Sequence, residues 1–293
     1  MPITRVGLVA KQDLDAAAGA LAELAGWLEA RTVHAVFETE TAVLAGLPPG
    51  RRTVSRDELP LACDLIVVLG GDGTLIGMAD RIAEAGADVA ILGVNFGSLG
   101  FLTEITLPEL YPSLESVLAG TSQIEERMML RSRTLRSGAV HADRLALNDV
   151  VITKGALSRI IDLEVDIGGR PVMRVRADGL IIGSPTGSTA YNLAAGGPIL
   201  HPEVDAVLLT PIAPHMLTNR PVVVPASSEI RVRPAVNRSN EEMFVTIDGQ
   251  SGHALQSADE ICITRADRPL KLIRASARTY FDVLRQKLKW SER

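Results

Sequence analysis

The sequence feature that most constrains the fold is an apolar run that ends in a glycine-rich loop. Residues 63–69 are apolar apart from Asp64, and Gly-Gly-Asp-Gly-Thr follows directly at residues 70–74. Such a run is typical of a strand in a parallel sheet that is covered on both faces. Residues 75–85 then carry apolar side chains at helical spacing and stop at Gly86. The pattern predicts a strand, a tight loop and a helix.

Strand and helix patterns alternate through roughly the first 110 residues. Strand-like runs occupy residues 4–11, 32–37 and 89–94, and a helical pattern at residues 14–31 separates the first two. Strands that alternate with helices indicate a doubly wound α/β unit. A short helix is predicted at residues 107–118.

The pattern changes after this helix. Residues 128–273 contain many short β-branched runs, one of them at 145–153, and only one helical candidate, near residues 188–195. This segment is predicted to be mostly β. Residues 278–290 regain helical spacing and predict a closing helix.

Two domains are therefore expected, since a single core rarely grows beyond the size of a 293-residue chain. Residues 1–125 would form the α/β domain with the glycine loop, and a C-terminal helix at 275–293 would return to it. Residues 126–274 would form a β-rich domain.

Composition excludes several classes of function. The formal net charge is −5, so no overall basic field exists to hold nucleic acid. The sequence has no run of eighteen apolar residues and begins without a signal-peptide pattern. We expect a cytoplasmic protein with neither a nucleic-acid nor a membrane partner.

The loop at residues 70–74 suits phosphate, because backbone N–H groups at a helix start attract anions. Asp72 would repel phosphate unless it coordinates Mg²⁺ or accepts a proton from an attacking hydroxyl. The sequence has no Gly-Lys pair and therefore no Walker lysine, and a dinucleotide fingerprint would need glycine at Ile76. A purely structural alternative remains, in which the glycines form a turn and Asp72 caps the helix.

A second glycine-rich loop, Asn-Phe-Gly-Ser-Leu-Gly-Phe-Leu at residues 95–102, follows the strand predicted at 89–94. Because it follows a parallel strand, it should open on the same edge of the sheet as the loop at 70–74.

The third such loop spans residues 177–198 and carries hydroxyl groups at Thr186, Ser188 and Thr189. At a helix start these hydroxyls would suit phosphate or ribose. A serine-hydrolase elbow would need serine where the chain has Pro185, so acyl transfer is disfavoured.

Taken together, these motifs resemble the NAD kinase family in order and spacing. Gly-Gly-Asp-Gly alone also occurs in diacylglycerol-type lipid kinases and phosphofructokinases, so the long segment at 178–198 is the specific part. The resemblance covers nearly the whole chain and rests on residues 70–74, 95–104, 148–149, 178–198, 213–215, 248–250, 280–281 and 287–290.

This resemblance implies transfer of the γ-phosphoryl group of ATP, or of polyphosphate, to the 2′-hydroxyl of the adenosine ribose of NAD. A divalent cation, Mg²⁺ by expectation, would assist. Asp72 would be the general base, and the backbone of Gly73 would contact the nucleotide. The family also suggests a homodimer or a homotetramer.

The resemblance further implies that the β-rich domain at 126–274 binds NAD, and it implies a set of NAD-binding residues. Asn148 and Asp149 would bind the ribose or the adenine, although many members carry the longer Glu at the second position. Asp178 would reach the nicotinamide side, and Tyr191 would stack or pack on a base. The remaining implied contacts are Arg159, Arg176, Thr189, Ala190, Asn192, Leu193, Ala194 and Gln250.

Two other functions remain open at this point. The chain could be a lipid or sugar kinase with the same Gly-Gly-Asp-Gly loop, or a regulator that binds a dinucleotide without turnover. Asp72 argues against the regulator, because a pure binding site gains nothing from a carboxylate beside phosphates.

Overall fold

A computed structural model describes residues 2–47, 53–97, 99–155, 160–216, 218–235, 242–274 and 278–290. The chain divides into two compact units, of which the first contains Met1–Glu126 and Leu270–Arg293 and the second contains Arg127–Pro269. No helix in the described segments is long and apolar enough to cross a bilayer.

The first unit is a doubly wound α/β structure, as predicted. Its sheet has the order β3-β2-β1-β4-β5-β20-β7, with β6 beside β5, and the pairs around β1, β4 and β5 are parallel. The strands are β1 Arg5–Ala10, β2 His34–Glu38, β3 Thr53–Val54, β4 Leu65–Leu69, β5 Ala90–Asn95, β6 Ile105–Thr106, β7 Gln123–Arg127 and β20 Leu270–Arg274. The helices are α1 Ala17–Glu29, α2 Thr39–Leu44, α3 Leu59–Ala62, α4 Asp72–Glu84, α5 Leu110–Leu118 and α7 Tyr280–Leu288, and a 3₁₀ turn at Leu107–Glu109 precedes α5.

Burial explains why these elements form. All five residues of β4 are buried, as a strand covered on both faces requires. Helix α4 buries Leu75, Met78 and Ile82 on one face. It ends at Glu84, and Gly86, just beyond the C-cap, adopts the left-handed conformation with a φ of +60°.

The end of the chain returns to the first unit, as predicted. Helix α7 begins with a capping box between Thr279 and Asp282 and buries Val283 and Leu284. Strand β20 belongs to the same sheet, where it pairs in parallel with β5, whereas the sequence division grouped its residues with the β-rich segment.

The second unit consists of two antiparallel six-stranded sheets. Their orders are β15-β14-β13-β10-β17-β18 and β12-β11-β16-β19-β8-β9, and side chains of both sheets share one core. The strands are β8 Leu130–Arg136, β9 Ala139–Ala146, β10 Asp149–Lys154, β11 Ile161–Ile167, β12 Arg170–Ala177, β13 Gly179–Gly183, β14 Ala206–Ile212, β15 Val222–Pro225, β16 Ile230–Pro234, β17 Met243–Ile247, β18 Ser251–Leu255 and β19 Glu260–Arg265.

Two local predictions in this unit were wrong. The single strand expected at residues 145–153 is two strands, β9 and β10, because the backbone at residues 147–149 bonds to Asp248. The helix expected near 188–195 is a 3₁₀ turn at Thr186–Thr189 followed by the short helix α6 at Tyr191–Ala194. Ala190 interrupts them with non-helical backbone angles.

Candidate active site

The glycine loop lies where the order of the parallel strands reverses. Strands β1 and β4 are neighbours, α1 leads from β1 to β2 on one side, and α4 leads from β4 to β5 on the other. Ligands of such sheets collect at the carboxyl ends of these two strands. The backbone is tight here: a Cβ atom on Gly70 would lie 2.8 Å from Thr74 Oγ1 and 3.2 Å from Lys11 Cβ.

Asp72 does not cap the helix, in contrast to the structural alternative. The capping position is Gly71, whose backbone is extended and which makes no side-chain capping bond. Asp72 is the first helical residue and Gly73 the second, so both lie in the turn whose N–H groups have no acceptor within the helix. Gly73 is exposed, which leaves its backbone accessible to a phosphate or a ribose.

The carboxylate of Asp72 bonds to the second glycine-rich loop. Oδ1 accepts hydrogen bonds from the N–H groups of Leu102 and Thr103 at 3.1 and 2.9 Å and from the Thr103 hydroxyl at 2.8 Å. Oδ2 accepts one, from the Phe101 N–H at 2.8 Å. Each carboxylate oxygen has about two lone-pair positions, so three donors share those of Oδ1, whereas Oδ2 uses only one of its two. Oδ2 can therefore accept one further hydrogen bond, such as that of an attacking hydroxyl.

Glycine is required where this loop passes Asp72. A Cβ atom on Gly100 would lie 2.0 Å from Asp72 Oδ1 and 2.3 Å from Thr103 Oγ1. The side chain of Asn95, at the end of β5, donates to the Thr103 hydroxyl oxygen at 3.2 Å and accepts from the Gly97 N–H at 2.6 Å. The loop is thus shaped around the carboxylate.

Lys11 is a residue that the sequence analysis missed. It follows β1 directly, its N–H donates to the Leu69 carbonyl at 2.9 Å, and its side chain is exposed. In the described segments Lys11 forms no ion pair with an acidic side chain. A lysine at this edge could neutralise phosphate where no Walker lysine exists. Its position at the end of the first predicted strand, residues 4–11, was the available signal.

In the second unit, strand order brings three of the sequence motifs together. Strand β10 lies between β13 and β17, so the start of β10, the loop after β13 and the turn after β17 are adjacent. The Ser184 N–H donates to the Asn148 carbonyl at 2.8 Å, and the Asp248 N–H donates to the Asp149 carbonyl at 2.9 Å. A Cβ atom on Gly187 would lie 2.1 Å from the Asn148 carbonyl oxygen, so only glycine fits there.

Asp248 holds the backbone of this site. Its carboxylate accepts hydrogen bonds from the N–H groups of Leu147, Asn148 and Asp149 at 2.7, 2.8 and 2.9 Å. The residue has a φ of +51° and Gly249 has +64°, which suits the tight hairpin between β17 and β18. Sequence analysis identified the turn but not this function of Asp248.

The side chains of Asn148 and Asp149 are largely buried, but their polar atoms still reach the surface. They are 9% and 4% exposed, and no hydrogen-bond partner reaches either side chain from the described residues. Burial, followed by the neighbouring charge of Asp248, raises the pKa of the Asp149 carboxyl to about 7. Polar atoms that reach the surface and have no partner in the protein are free to bond to a ligand.

Two of the three hydroxyls of the long loop bond within the protein. Ser188 Oγ donates to the Leu200 carbonyl at 3.2 Å, and Thr189 Oγ1 donates to the Thr186 carbonyl at 3.3 Å. The segment is also too short to provide a helix N-terminus for phosphate. These hydroxyls shape the loop.

Asn192 is fully buried. Its amide donates to the carbonyls of Ser188 and Pro198 at 2.9 and 3.0 Å and accepts from the Thr210 hydroxyl at 2.6 Å. Its side chain therefore holds the loop and does not face a ligand. A Cβ atom on Gly197 would lie 1.9 Å from Asn192 Oδ1.

The other implied NAD contacts have different environments. Tyr191 is 45% exposed, and Arg176 has a buried Nε without a hydrogen-bond partner in the described structure. Asp178 pairs with Lys154 at 3.2 Å. Gln250 is exposed in the turn after β17. Thr189, Ala190 and Leu193 are partly buried, Ala194 is exposed, and Arg159 lies outside the described residues.

The side chains do not build a metal site by themselves. No group of three or more His, Cys, Asp or Glu side chains in the described part of the chain could hold a metal ion. Magnesium commonly binds through one or two carboxylates together with substrate phosphates. The donor set suits a cation that arrives with a nucleotide.

Two models of known protein families match the chain. The model of the ATP-NAD kinase N-terminal domain matches residues 6–122, and that of the ATP-NAD kinase C-terminal domain matches residues 147–275. The chain belongs to the NAD kinase family. The family predicted from the sequence motifs is thereby confirmed, and the chain is a kinase.

Curated relatives named NAD kinase match over nearly their full length. The protein of Geotalea daltonii is 48% identical over 289 residues, which are 99% of each chain, and that of Geobacter sp. strain M21 is 49% identical over 290 residues, again 99% of each. The protein of Solibacter usitatus is 45% identical over the whole of both chains.

Two solved structures of NAD kinase type share the fold. Yeast NADH kinase complexed with NADH superposes with a TM-score of 0.87 at 26% identity, over 100% of this chain and 89% of that one. An NAD kinase from Archaeoglobus fulgidus in complex with ATP has a TM-score of 0.75 at 25% identity, over 97% and 98%. The α/β plus β-rich architecture expected of the family is confirmed.

Proposed function

We propose that the chain transfers the γ-phosphoryl group of ATP to the 2′-hydroxyl of the adenosine ribose of NAD and forms NADP. Asp72 is the general base of this reaction. The observation that carries the proposal is the carboxylate of Asp72, which four donors hold in place while Oδ2 keeps one acceptor position. Complexes of related kinases with ATP and with NADH support the two ligands.

In this mechanism the proton of the 2′-hydroxyl passes to Asp72 Oδ2 as the hydroxyl oxygen bonds to the γ-phosphorus. The bond between that phosphorus and the β,γ-bridging oxygen breaks, and ADP leaves. Phosphoryl transfer passes through a loose transition state, so alignment and charge neutralisation provide most of the rate enhancement. Mg²⁺ bound to ATP would neutralise phosphate charge, and the exposed Lys11 is placed to do the same.

The NAD pocket of the proposal lies in the second unit. Asn148 and Asp149 bind ribose or adenine, since their side chains have no partner of their own. Arg176 provides a positive charge for the pyrophosphate, and Tyr191 offers an exposed ring for stacking. The other implied contacts are Gly73, Arg159, Asp178, Thr189, Ala190, Leu193, Ala194 and Gln250, while Asn192 acts through the loop.

The experiment that tests this function is NADP formation by the purified protein. NAD and MgATP are supplied, NADP is read with an NADP-specific dehydrogenase, and parallel reactions contain polyphosphate or NADH. We expect turnover with NAD and ATP. Absence of NADP with every donor would exclude the proposal.

Asp72→Asn separates the base from the fold. The amide keeps the shape but cannot take a proton, so kcat should fall by about 10² to 10⁴-fold. Its NH₂ group cannot accept from the N–H groups that hold Asp72, so the melting temperature should fall as well, and circular dichroism at the assay temperature checks that the variant is folded. Asp88→Asn is the matched control, because Asp88 is a 71% exposed carboxylate in the same unit that pairs with Lys271. Equal kcat values in the two variants would remove Asp72 from the chemistry.

Assembly also belongs to the proposal. We expect a homodimer or a homotetramer in the cytoplasm, because antiparallel sheets with open edges can pair with a second copy. Strand β15 is one such edge, and Val223 on it is 46% exposed. Sedimentation equilibrium of the purified chain measures the subunit number, and a monomer at micromolar concentration would contradict this expectation.

A further inference from the structure

Buried charges anchor the loop that binds Asp72 to the last segment of the first unit. Thr103, which donates two hydrogen bonds to Asp72, is followed directly by Glu104. Arg274, the last residue of β20, places Nε 2.8 Å from Glu104 Oε1, and the two side chains are only 12% and 5% exposed. This contact is an ion pair without hydrogen-bond geometry.

A second arginine holds the backbone of the same residue. Arg278 Nη1 donates to the Glu104 carbonyl at 2.9 Å, and Arg274 Nη2 donates to the Arg278 carbonyl at 2.7 Å. Arg274 also donates to Glu125 at 3.1 Å. We call Glu104, Arg274 and Arg278 the Glu104 clamp.

The clamp is a poor device for stability alone. Burying an ion pair costs desolvation that its attraction often fails to recover, and apolar residues commonly replace such pairs without loss. The ion pair between Arg274 and Glu104 does fix the position of Glu104 relative to β20. Glu104 is one residue from Thr103 and three from Phe101, and the N–H groups of residues 101–103 hold both oxygens of Asp72. A shift of Glu104 therefore moves the donors that orient the base.

We propose that Arg274 and Arg278 are positioning residues for phosphoryl transfer and act on Asp72 through Glu104 and the loop at 101–103. The proposal rests on the function of Asp72 proposed above. It joins the end of the chain to the reacting carboxylate by side-chain and backbone bonds that all lie within the first unit.

The first test compares two charge-removing variants on one strand. Arg274→Met should lower kcat by about 10 to 100-fold, because small misplacements of a reacting group have effects of this size. KM for NAD and for ATP should stay within about two-fold, since the clamp touches neither binding site. Lys271→Met is the control, because Lys271 on β20 pairs with the exposed Asp88, away from the loop. Arg274→Lys should recover part of kcat.

The second test asks whether Arg274 acts through Asp72. In the Asp72→Asn background, Arg274→Met should change the single-turnover rate less than about two-fold, because the group that it positions is already disabled. A loss in that background as large as in the wild type would overturn the proposal. If Arg274→Met does not fold, Glu104→Gln with Arg274→Met removes both charges and takes its place.

Amide hydrogen exchange gives a readout that needs no activity. Residues 101–103 should exchange about 10-fold faster in Arg274→Met than in Lys271→Met, because their bonds to Asp72 loosen. Unchanged exchange, or faster exchange with unchanged kcat, would overturn the clamp while NADP formation still stands. A separate outcome is that the wild-type protein forms no NADP while residues 101–103 still exchange faster in Arg274→Met. That result would reject the proposed function and show that the clamp only orders the loop.

Discussion

Asp149 differs from the paired carboxylates around it because no donor in the described structure reaches it. The carboxylate of Asp248 accepts hydrogen bonds from the backbone N–H groups of residues 147–149 at 2.7 to 2.9 Å, whereas Asp149 is buried and the pKa of its carboxyl is raised to about 7. A carboxyl group with this pKa is partly protonated near neutral pH. It can therefore donate a hydrogen bond to a ribose oxygen or, once ionised, accept one.

This raised pKa predicts the pH dependence of stability. An unfolded aspartate ionises near pH ~3.9, so between pH 4 and 7 the unfolded chain loses this proton before the folded chain does. The carboxyl therefore contributes nothing below about pH 4, destabilises the fold progressively as pH rises to about 7, and has a constant effect above that. Asp149→Asn should consequently stabilise the protein more at pH 8 than at pH 4.5, on the order of a few kcal/mol.

Urea unfolding of both proteins at the two pH values measures this difference. Asp267→Asn serves as control, since Asp267 is 94% exposed. The same stability difference at pH 8 and pH 4.5 would show that Asp149 ionises normally in the folded protein.

Asp248 should control NAD binding through the backbone. Asp248→Ala removes three charge-assisted hydrogen bonds from residues 147–149, so Asn148 and Asp149 lose their fixed placement. We expect KM for NAD to rise about 10-fold or more with a smaller change in KM for ATP. Steady-state kinetics with each substrate varied checks this, again beside Asp267→Asn, and an equal rise in both KM values would contradict it.

Sequence analysis identifies a functional side chain more readily than it identifies the groups that bond to that side chain. Asp72 was identifiable, because a carboxylate in a glycine loop needs a chemical reason. The donors on Phe101, Leu102 and Thr103 were not, because every residue except proline carries an N–H group and only the fold selects which ones meet Asp72.

In the second glycine-rich loop, the close approach of the backbone at Gly100 determines where the carboxylate of Asp72 can lie. Gly100→Ala would place a Cβ 2.0 Å from Asp72 Oδ1, so either the carboxylate or the loop must move. We expect kcat to fall by about 10 to 100-fold. Gly97→Ala is a control in the same loop, because its Cβ would meet only Asn95 Oδ1, at 3.8 Å.

Kinetics and a crystal structure of both alanine variants measure this effect. Full activity in Gly100→Ala would mean that Asp72 tolerates displacement from the position described. A matching loss in Gly97→Ala would mean that the loop responds to any added side chain.

Elements with a continuous pattern were predictable. Strand β4 and the body of helix α4 follow the apolar pattern, but the start of α4 at Asp72 does not, because its first turn carries no apolar side chains. Helix α2, Thr39–Leu44, was missed because six residues show too little periodicity. The break between β9 and β10 depends on Asp248, about 100 residues away in sequence, so no local pattern could reveal it.

The two units differ in whether one continuous segment of the chain forms them. The second unit is one uninterrupted segment, Arg127–Pro269, with its own core. The first unit needs Leu270–Arg293, because β20 lies between β5 and β7 in its sheet. Local patterns predicted the returning helix α7 but not the returning strand, whose five residues resemble the β-rich segment before them.

Fragments should behave accordingly. We expect residues 127–269 to unfold cooperatively on their own. Residues 1–126 should lack a cooperative transition, because β5 then has no pairing with β20. Joining residues 270–293 to residues 1–126 through a flexible linker should restore the transition. Circular dichroism during urea titration measures all three, and cooperative unfolding of residues 1–126 alone would show that β20 is dispensable.

The position of β20 also affects how the protein is made. A ribosome synthesises residues 1–126 first, yet the sheet that presents Asp72 cannot be completed until the final segment has emerged. The segment made second can fold first, while the first waits with unpaired strands that are exposed to aggregation and to chaperones. A chain that stops before residue 270 would therefore leave β5 without its pairing to β20 and the sheet incomplete.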